Sequence, residues 1–193
     1  MHQLPNILTI LRIIMTPLFI YFLFWGNGHG YTLALAIFLL AGLTDIIDGK
    51  LARALGVESR LGKILDPLAD KILVLSALIS FITLDLVYGW IVALIVLRDI
   101  VITVIRFVLE YRDMPMATSN SAKGKTALQI VAIVFTLSYL SLKAYELTWL
   151  TGLIEQSHAI LILMLITMAV TLYTGIDYMV ANRTSIRALV RLN

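Results

Sequence analysis

Apolar runs of about twenty residues recur along the whole chain, and turn-forming stretches separate them. A helix needs roughly 20 mostly apolar residues to cross a bilayer, so this alternation limits the fold more than any other feature. Six runs stand at 4–25, 31–53, 62–84, 88–110, 124–143 and 159–181. The breaks contain "GNGHG" (26–30), "ALGVES" (54–59), "LDLVYG" (84–89), "YRDMPMATSNSAK" (111–123) and "AYELTWLTGLIEQSH" (144–158), the last itself fairly apolar. Of the 193 residues, 60% are hydrophobic and 14% charged, whereas soluble domains carry about 25% charged residues. The expected fold is all-α: one polytopic membrane domain over 1–193, with six transmembrane helices and a basic C-terminal tail at 182–193. Arg12 and Pro17 interrupt the first run and no A-x-A-like site follows it, so it is expected to be a retained span. The absence of cysteine excludes disulfides and thiol chemistry.

Charge placement sets the expected orientation. With a cytoplasmic N-terminus, Lys143 alone of the 15 Lys and Arg residues falls on the far side. That asymmetry puts both termini, and the segment 45–70, in the cytoplasm. In the tail, Arg183, Arg187 and Arg191 recur every four residues, a basic helical stripe suited to an anionic membrane surface.

The segment 45–70 holds four aspartates. Asp45 and Asp48 are spaced i, i+3, and Asp66 and Asp70 i, i+4, so each pair shares a helix face. Asp48 and Asp66 are centred on position 57, and Asp45 and Asp70 on 57.5, beside Gly56. In an antiparallel helical hairpin, residues equidistant from the turn share a depth. The inner pair is then expected about 10–15 Å from the turn, near the membrane–water boundary. Four clustered acids cannot all ionise without counter-charge. All-oxygen ligation suits two divalent cations, Mg²⁺ or Mn²⁺, which together support phosphoryl chemistry. Gly49, Ala52 and Gly62 leave little bulk nearby, through which helices pack closely or a ligand reaches the backbone, and Arg53 adds a fixed cation.

These residues carry a family resemblance. Asp45-Ile-Ile-Asp48-Gly49-Lys50-Leu51-Ala52-Arg53, eight residues, then Gly62-Lys-Ile-Leu-Asp66-Pro-Leu-Ala-Asp70 match D-x-x-D-G-x-x-A-R-x8-G-x3-D-x3-D at every fixed position. The chain therefore resembles the CDP-alcohol phosphatidyltransferases. The resemblance implies a six-helix membrane fold with its site at the cytoplasmic face, in a bacterial inner membrane, and a homodimer. It implies that an alcohol hydroxyl attacks the β-phosphorus of a CDP-linked lipid and CMP leaves. Asp45, Asp48, Asp66 and Asp70 would hold the two ions, Asp66 and Asp70 would be catalytic, and Asp70 would be the general base. Asp45, Asp48, Gly49, Ala52, Arg53 and Gly62 would line the CDP-lipid site.

The opening "LPNILTILRI" is similar to the branch of the family that joins CDP-diacylglycerol to glycerol 3-phosphate. That likeness implies Asn6 and Thr9 near the nucleotide and Arg12 near phosphate. "SNSAKGKTALQIVAI" is also similar to this branch at Lys123, Lys125, Thr126 and Gln129, with Ala122 in place of its usual glycine. Arg98-Asp99 stands where the branch carries Arg-Glu. Arg98, Arg106, Ser121, Lys123 and Lys125 form the candidate pocket for the acceptor phosphate, since guanidinium groups suit bidentate contact. An arginine within a span needs a partner or a wet cavity. So Arg98 has a second reading, as the ion-pair partner of Asp99 of a partner or of Asp177, and the two lysines as membrane anchors. Other acceptors, namely inositol phosphate, serine or phosphatidylglycerol, share the signature. A small ion or proton transporter is the alternative from another class, although transporters place acids near the midplane in repeated halves.

The remaining motifs point nowhere else. Gly124-Lys125-Thr126 imitates part of a P-loop, but its first glycine is Ser119 and no strand precedes it. His2, His29 and His158 lack metal-ligand spacing. Trp25, Trp90 and Trp149 fall near span ends as an interfacial belt, and no soluble domain is large enough for nucleic acid.

Overall fold

The computed structural model describes the backbone of residues 4–55, 60–112, 114 and 121–191, and the side chains of 11–44, 71–112, 114 and 124–189. The described residues form eight helices and no strand: α1 Leu4–Phe24, α2 Gly28–Leu55, α3 Arg60–Thr83, α4 Gly89–Tyr111, α5 Ser121–Ala144, α6 Thr148–Gln156, α7 Ala159–Ala181 and α8 Arg183–Arg191. Each expected apolar run is a helix, most with ends displaced by a few residues. One expectation needs correction: the stretch 144–158 is not all loop, because α6 occupies its middle. Trp149, Leu150, Leu153 and Ile154 give this stretch an apolar helical face, too short to cross a bilayer. The basic tail is helical in α8.

Among the described residues two helices, Gly124–Ala144 and Ala159–Ala181, are long and apolar enough to cross a membrane. Leu11–Phe24, Gly28–Thr44 and Lys71–Thr83 are shorter apolar stretches among the described residues. Helix α4 is as long, but Arg98, Asp99 and Arg106 interrupt it. Helix α7 places Thr167, Thr171 and Thr174 inside and Ile162, Ile166, Tyr173 and Ile176 outside. A water-soluble helix does the reverse. An apolar exterior around a small, polar interior suits helices solvated by lipid.

The chain divides into two compact units. The first comprises Met1–Thr83 and Ile133–Ala159. In it α1 packs against both α2 and α3, and α2 touches α3. Phe19 and Phe38 are buried with ring centroids 5.9 Å apart, a contact that holds lipid-solvated helices by close packing rather than by leaving water. The turn from α1 to α2 is built by small residues. Gly26 takes φ +73, and the Asn27 side chain accepts a hydrogen bond from the Gly30 N–H at 2.7 Å, capping α2. A Cβ on Gly30 would stand 2.6 Å from the Phe22 carbonyl oxygen, so only glycine allows this approach. Farther along the unit, Lys143 of α5 pairs with Glu155 of α6 at 2.7 Å. The Tyr139 hydroxyl donates to the same carboxylate oxygen at 2.5 Å. His29 is exposed and shares a hydrogen bond of 3.1 Å with the Tyr145 hydroxyl.

The second unit comprises Leu84–Ala132 and Ile160–Asn193. It contains α4, the first part of α5, most of α7, and α8, which packs against α4. The Asn182 side chain donates to the Tyr178 carbonyl at 3.0 Å, and Ile186 N–H bonds to Asn182, so α8 begins almost directly from the end of α7.

Candidate active site

The signature residues fall on two helices of the first unit. Asp45, Asp48, Gly49, Ala52 and Arg53 lie on α2, and Gly62, Asp66 and Asp70 on α3. These two helices touch, and α1 packs against both. The side chains of these eight residues lie outside the described residues, as do those of Asn6 and Thr9 on α1. The expected depth-matching of the four carboxylates lies outside them too. Among the described residues no group of three or more His, Cys, Asp or Glu could hold a metal ion. Arg12, one turn before Thr16 on α1, is fully buried, and the Thr16 hydroxyl donates to its carbonyl at 3.1 Å.

In the second unit three helices converge on one charged cluster. Arg98 and Asp99 stand on α4, Lys125 on α5 and Thr174 on α7. Arg98 Nη1 donates to Asp99 Oδ1 at 3.0 Å, and the Lys125 ammonium donates to that same oxygen. Arg98 Nη2 donates to the Thr174 hydroxyl at 2.9 Å. The hydroxyl proton goes to the Thr171 carbonyl at 3.0 Å, which leaves a lone pair of the oxygen for Arg98. All three charged side chains are nearly buried: Arg98 is 12% exposed, Asp99 8% and Lys125 9%. Two cations thus share one carboxylate among apolar helices, where charge is expensive unless it is paired or serves a ligand.

Of the expected phosphate-pocket residues, Arg98 and Lys125 meet in this cluster. Arg106 lies two turns along α4, exposed, within electrostatic range of Tyr178 on α7. Ser121 and Lys123 lie in the first turn of α5, their side chains outside the described residues. Arg98 has an ion-pair partner, its own neighbour Asp99 rather than Asp177. Gln129, one turn beyond Lys125, is buried, and its Nε2 has no hydrogen-bond partner among the described residues. Sequence reasoning missed the parts that Asp99, Thr174 and Gly175 play. The only available signal was the improbability of a carboxylate beside an arginine within an apolar run.

The sequence matches the CDP-alcohol phosphatidyltransferase family over residues 2–176. The chain belongs to that family and is a phosphatidyltransferase, which favours an enzyme over the transporter. It is 37% identical over 180 residues to the "Probable phosphatidylglycerophosphate synthase" of Mycobacterium tuberculosis, covering 91% of this chain and 79% of that protein. It is 33% identical over 184 residues to the "CDP-diacylglycerol--glycerol-3-phosphate 3-phosphatidyltransferase" of Rickettsia typhi, covering 95% of this chain and 99% of that protein. It is also 31% identical over 181 residues to a "Probable cardiolipin synthase (CMP-forming)" of Drosophila melanogaster, covering 81% of this chain and 55% of that protein.

Proposed function

We propose that this protein transfers the phosphatidyl group of CDP-diacylglycerol to glycerol 3-phosphate, forming phosphatidylglycerophosphate and releasing CMP. Helices α1 to α5 and α7 form the six membrane crossings, with both termini and the active site cytoplasmic. The one-sided distribution of Lys and Arg supports that orientation, and the bacterial relatives support a plasma-membrane location. A homodimer is the family expectation.

The donor set suits hard cations: four carboxylates on two touching helices, all oxygen, with no sulfur or imidazole in the signature. Asp45, Asp48, Asp66 and Asp70 would hold two Mg²⁺ or Mn²⁺ ions, which would supply positive charge to the pyrophosphate oxygens. Asn6, Thr9, Gly49, Ala52, Arg53 and Gly62 would bind the CDP-lipid. Asp70 would take the proton of the acceptor hydroxyl as its oxygen bonds to the β-phosphorus. The bond from that phosphorus to the CMP oxygen breaks, and CMP leaves with the electron pair.

The observation that carries the acceptor is the buried meeting of Arg98 and Lys125 on Asp99. Arg98 spends one N–H of Nη1 on Asp99 and one of Nη2 on Thr174, so each terminal nitrogen keeps one N–H for an anion. Arg106, Ser121 and Lys123 would complete a phosphate site. Glycerol 3-phosphate presents such a phosphate and serine does not. Phosphatidylglycerol as acceptor is the second reading, favoured by the cardiolipin synthase-like relative.

The test is CMP release by purified protein in detergent with CDP-diacylglycerol and one acceptor at a time: glycerol 3-phosphate, phosphatidylglycerol, inositol phosphate or serine. Glycerol 3-phosphate is expected to give the highest kcat/KM, and preference for any other acceptor overturns the assignment. Activity is expected to vanish in EDTA, return with Mg²⁺ or Mn²⁺, and fall at least about a hundredfold in Asp66→Asn. Full turnover in excess chelator sinks the metal reading.

A further inference from the structure

We infer that Thr174 and Gly175 of α7 are positioning residues that seat the Arg98 guanidinium for acceptor binding. This inference rests on the acceptor-phosphate reading above and extends it to a helix that supplies none of the pocket's cations.

A Cβ built on Gly175 would stand 2.8 Å from Arg98 Nε and 2.9 Å from its Cγ. Both are closer than real side chains approach, so the arginine lies along the bare backbone of α7. Beside it, the Thr174 hydroxyl accepts from Nη2 at 2.9 Å, and Asp99 takes Nη1 at 3.0 Å. The guanidinium is therefore fixed on two edges by hydrogen bonds and along its stem by a missing side chain. Its Nε is buried without a hydrogen-bond partner among the described residues, facing Gly175. An alanine methyl there would push Arg98 away from Thr174. A displacement of about 1 Å at a substrate-orienting group is enough to cost up to a hundredfold.

An ordinary close-packing glycine would touch apolar side chains, and its replacement would disturb the fold. Here all three of the nearest atoms belong to Arg98. Alanine also has the higher helix propensity, so Gly175→Ala should not weaken α7 itself.

The experiment measures kcat and KM for each substrate in purified Gly175→Ala, Thr174→Val, Thr174→Ser and Arg98→Ala, with thermal melting of each as the folding control. Gly175→Ala and Thr174→Val are expected to raise KM for glycerol 3-phosphate about tenfold. KM for CDP-diacylglycerol should hold within about twofold, and Thr174→Ser, which keeps the acceptor oxygen, should restore the native value. Arg98→Ala should raise the glycerol 3-phosphate KM at least as far. If Arg98→Ala does so and the α7 variants do not, the seat is wrong and the acceptor reading stands. If the α7 variants raise both KM values together, or fall in kcat alone, they act through general packing and the inference fails. If Arg98→Ala leaves the acceptor KM unchanged, the acceptor reading falls and takes the seat with it.

Discussion

Two charge clusters of this chain use the same chemistry in opposite surroundings. Around Asp99 the charged side chains are 8–12% exposed, whereas Lys143 and Glu155 are 59% and 50% exposed. Water has already solvated the second pair before it forms, so the pair gains little. It ties α6 to α5 and does nothing else visible. In the first, each ion has given up its hydration, a penalty of several kcal/mol that mutual attraction rarely more than offsets. An apolar trio of equal volume would serve stability as well. On the acceptor-phosphate proposal, Arg98, Asp99 and Lys125 are kept together for the anion they would bind.

The sharpest way to break this contrast is Asp99→Ala. It leaves two cations in an apolar interior without the carboxylate they share, which costs about 3–5 kcal/mol. The expected result is a large drop in melting temperature in detergent and loss of measurable transfer. Asp99→Ala combined with Lys125→Met removes one of the two cations that shared the carboxylate. It should recover part of the melting temperature while activity stays lost. If the double variant melts no higher than the single one, burial of uncompensated charge is not what makes Asp99 matter.

What the sequence could reveal follows the same division. Runs of about twenty apolar residues made the helices legible, since that length suits a membrane span, and each run is helical. Helix α6 was hidden, since nine residues with Trp149 and Leu153 read equally well as an apolar loop. The signature was legible as a family resemblance and placed on two helices that touch, while its side chains, and with them the expected cation site, lie outside the described residues. The second reading of Arg98 names Asp99 of a partner or Asp177, whereas its ion pair is with its own neighbour, although residues i and i+1 on a helix do not face each other. The arginine stem is long enough to fold back and reach its neighbour. Gly175 carried no signal, since a glycine in a membrane helix has the same letter whether it packs against leucine or seats a guanidinium.

At the exposed cluster the expected effects are smaller. Glu155→Gln keeps the shape and a hydrogen-bond acceptor for Tyr139 and Lys143 but loses the charge. Transfer activity should stay within about twofold of wild type. The melting temperature should fall slightly, and less as salt is added, because exposed ion pairs are screened. A loss of acceptor affinity in this variant would erase the functional distinction between the two clusters.

The smallest effect is the pH dependence of that difference. The Lys143 ammonium, hydrogen-bonded to Glu155, holds its carboxyl below the usual carboxylate value, with the Tyr139 hydroxyl adding to the effect. A carboxylate whose folded pKa is depressed stabilises the fold above its unfolded pKa, about 4.3, and loses that contribution as pH falls through the folded value. The melting-temperature gap between wild type and Glu155→Gln should therefore be flat from pH 8 to about 5. It should shrink below about 4.3 and close only under the depressed value. A gap that already narrows between about pH 7 and 5.5 would have to come from a group titrating in the histidine range. The Lys143–Glu155 pair would then lose its part in holding α6.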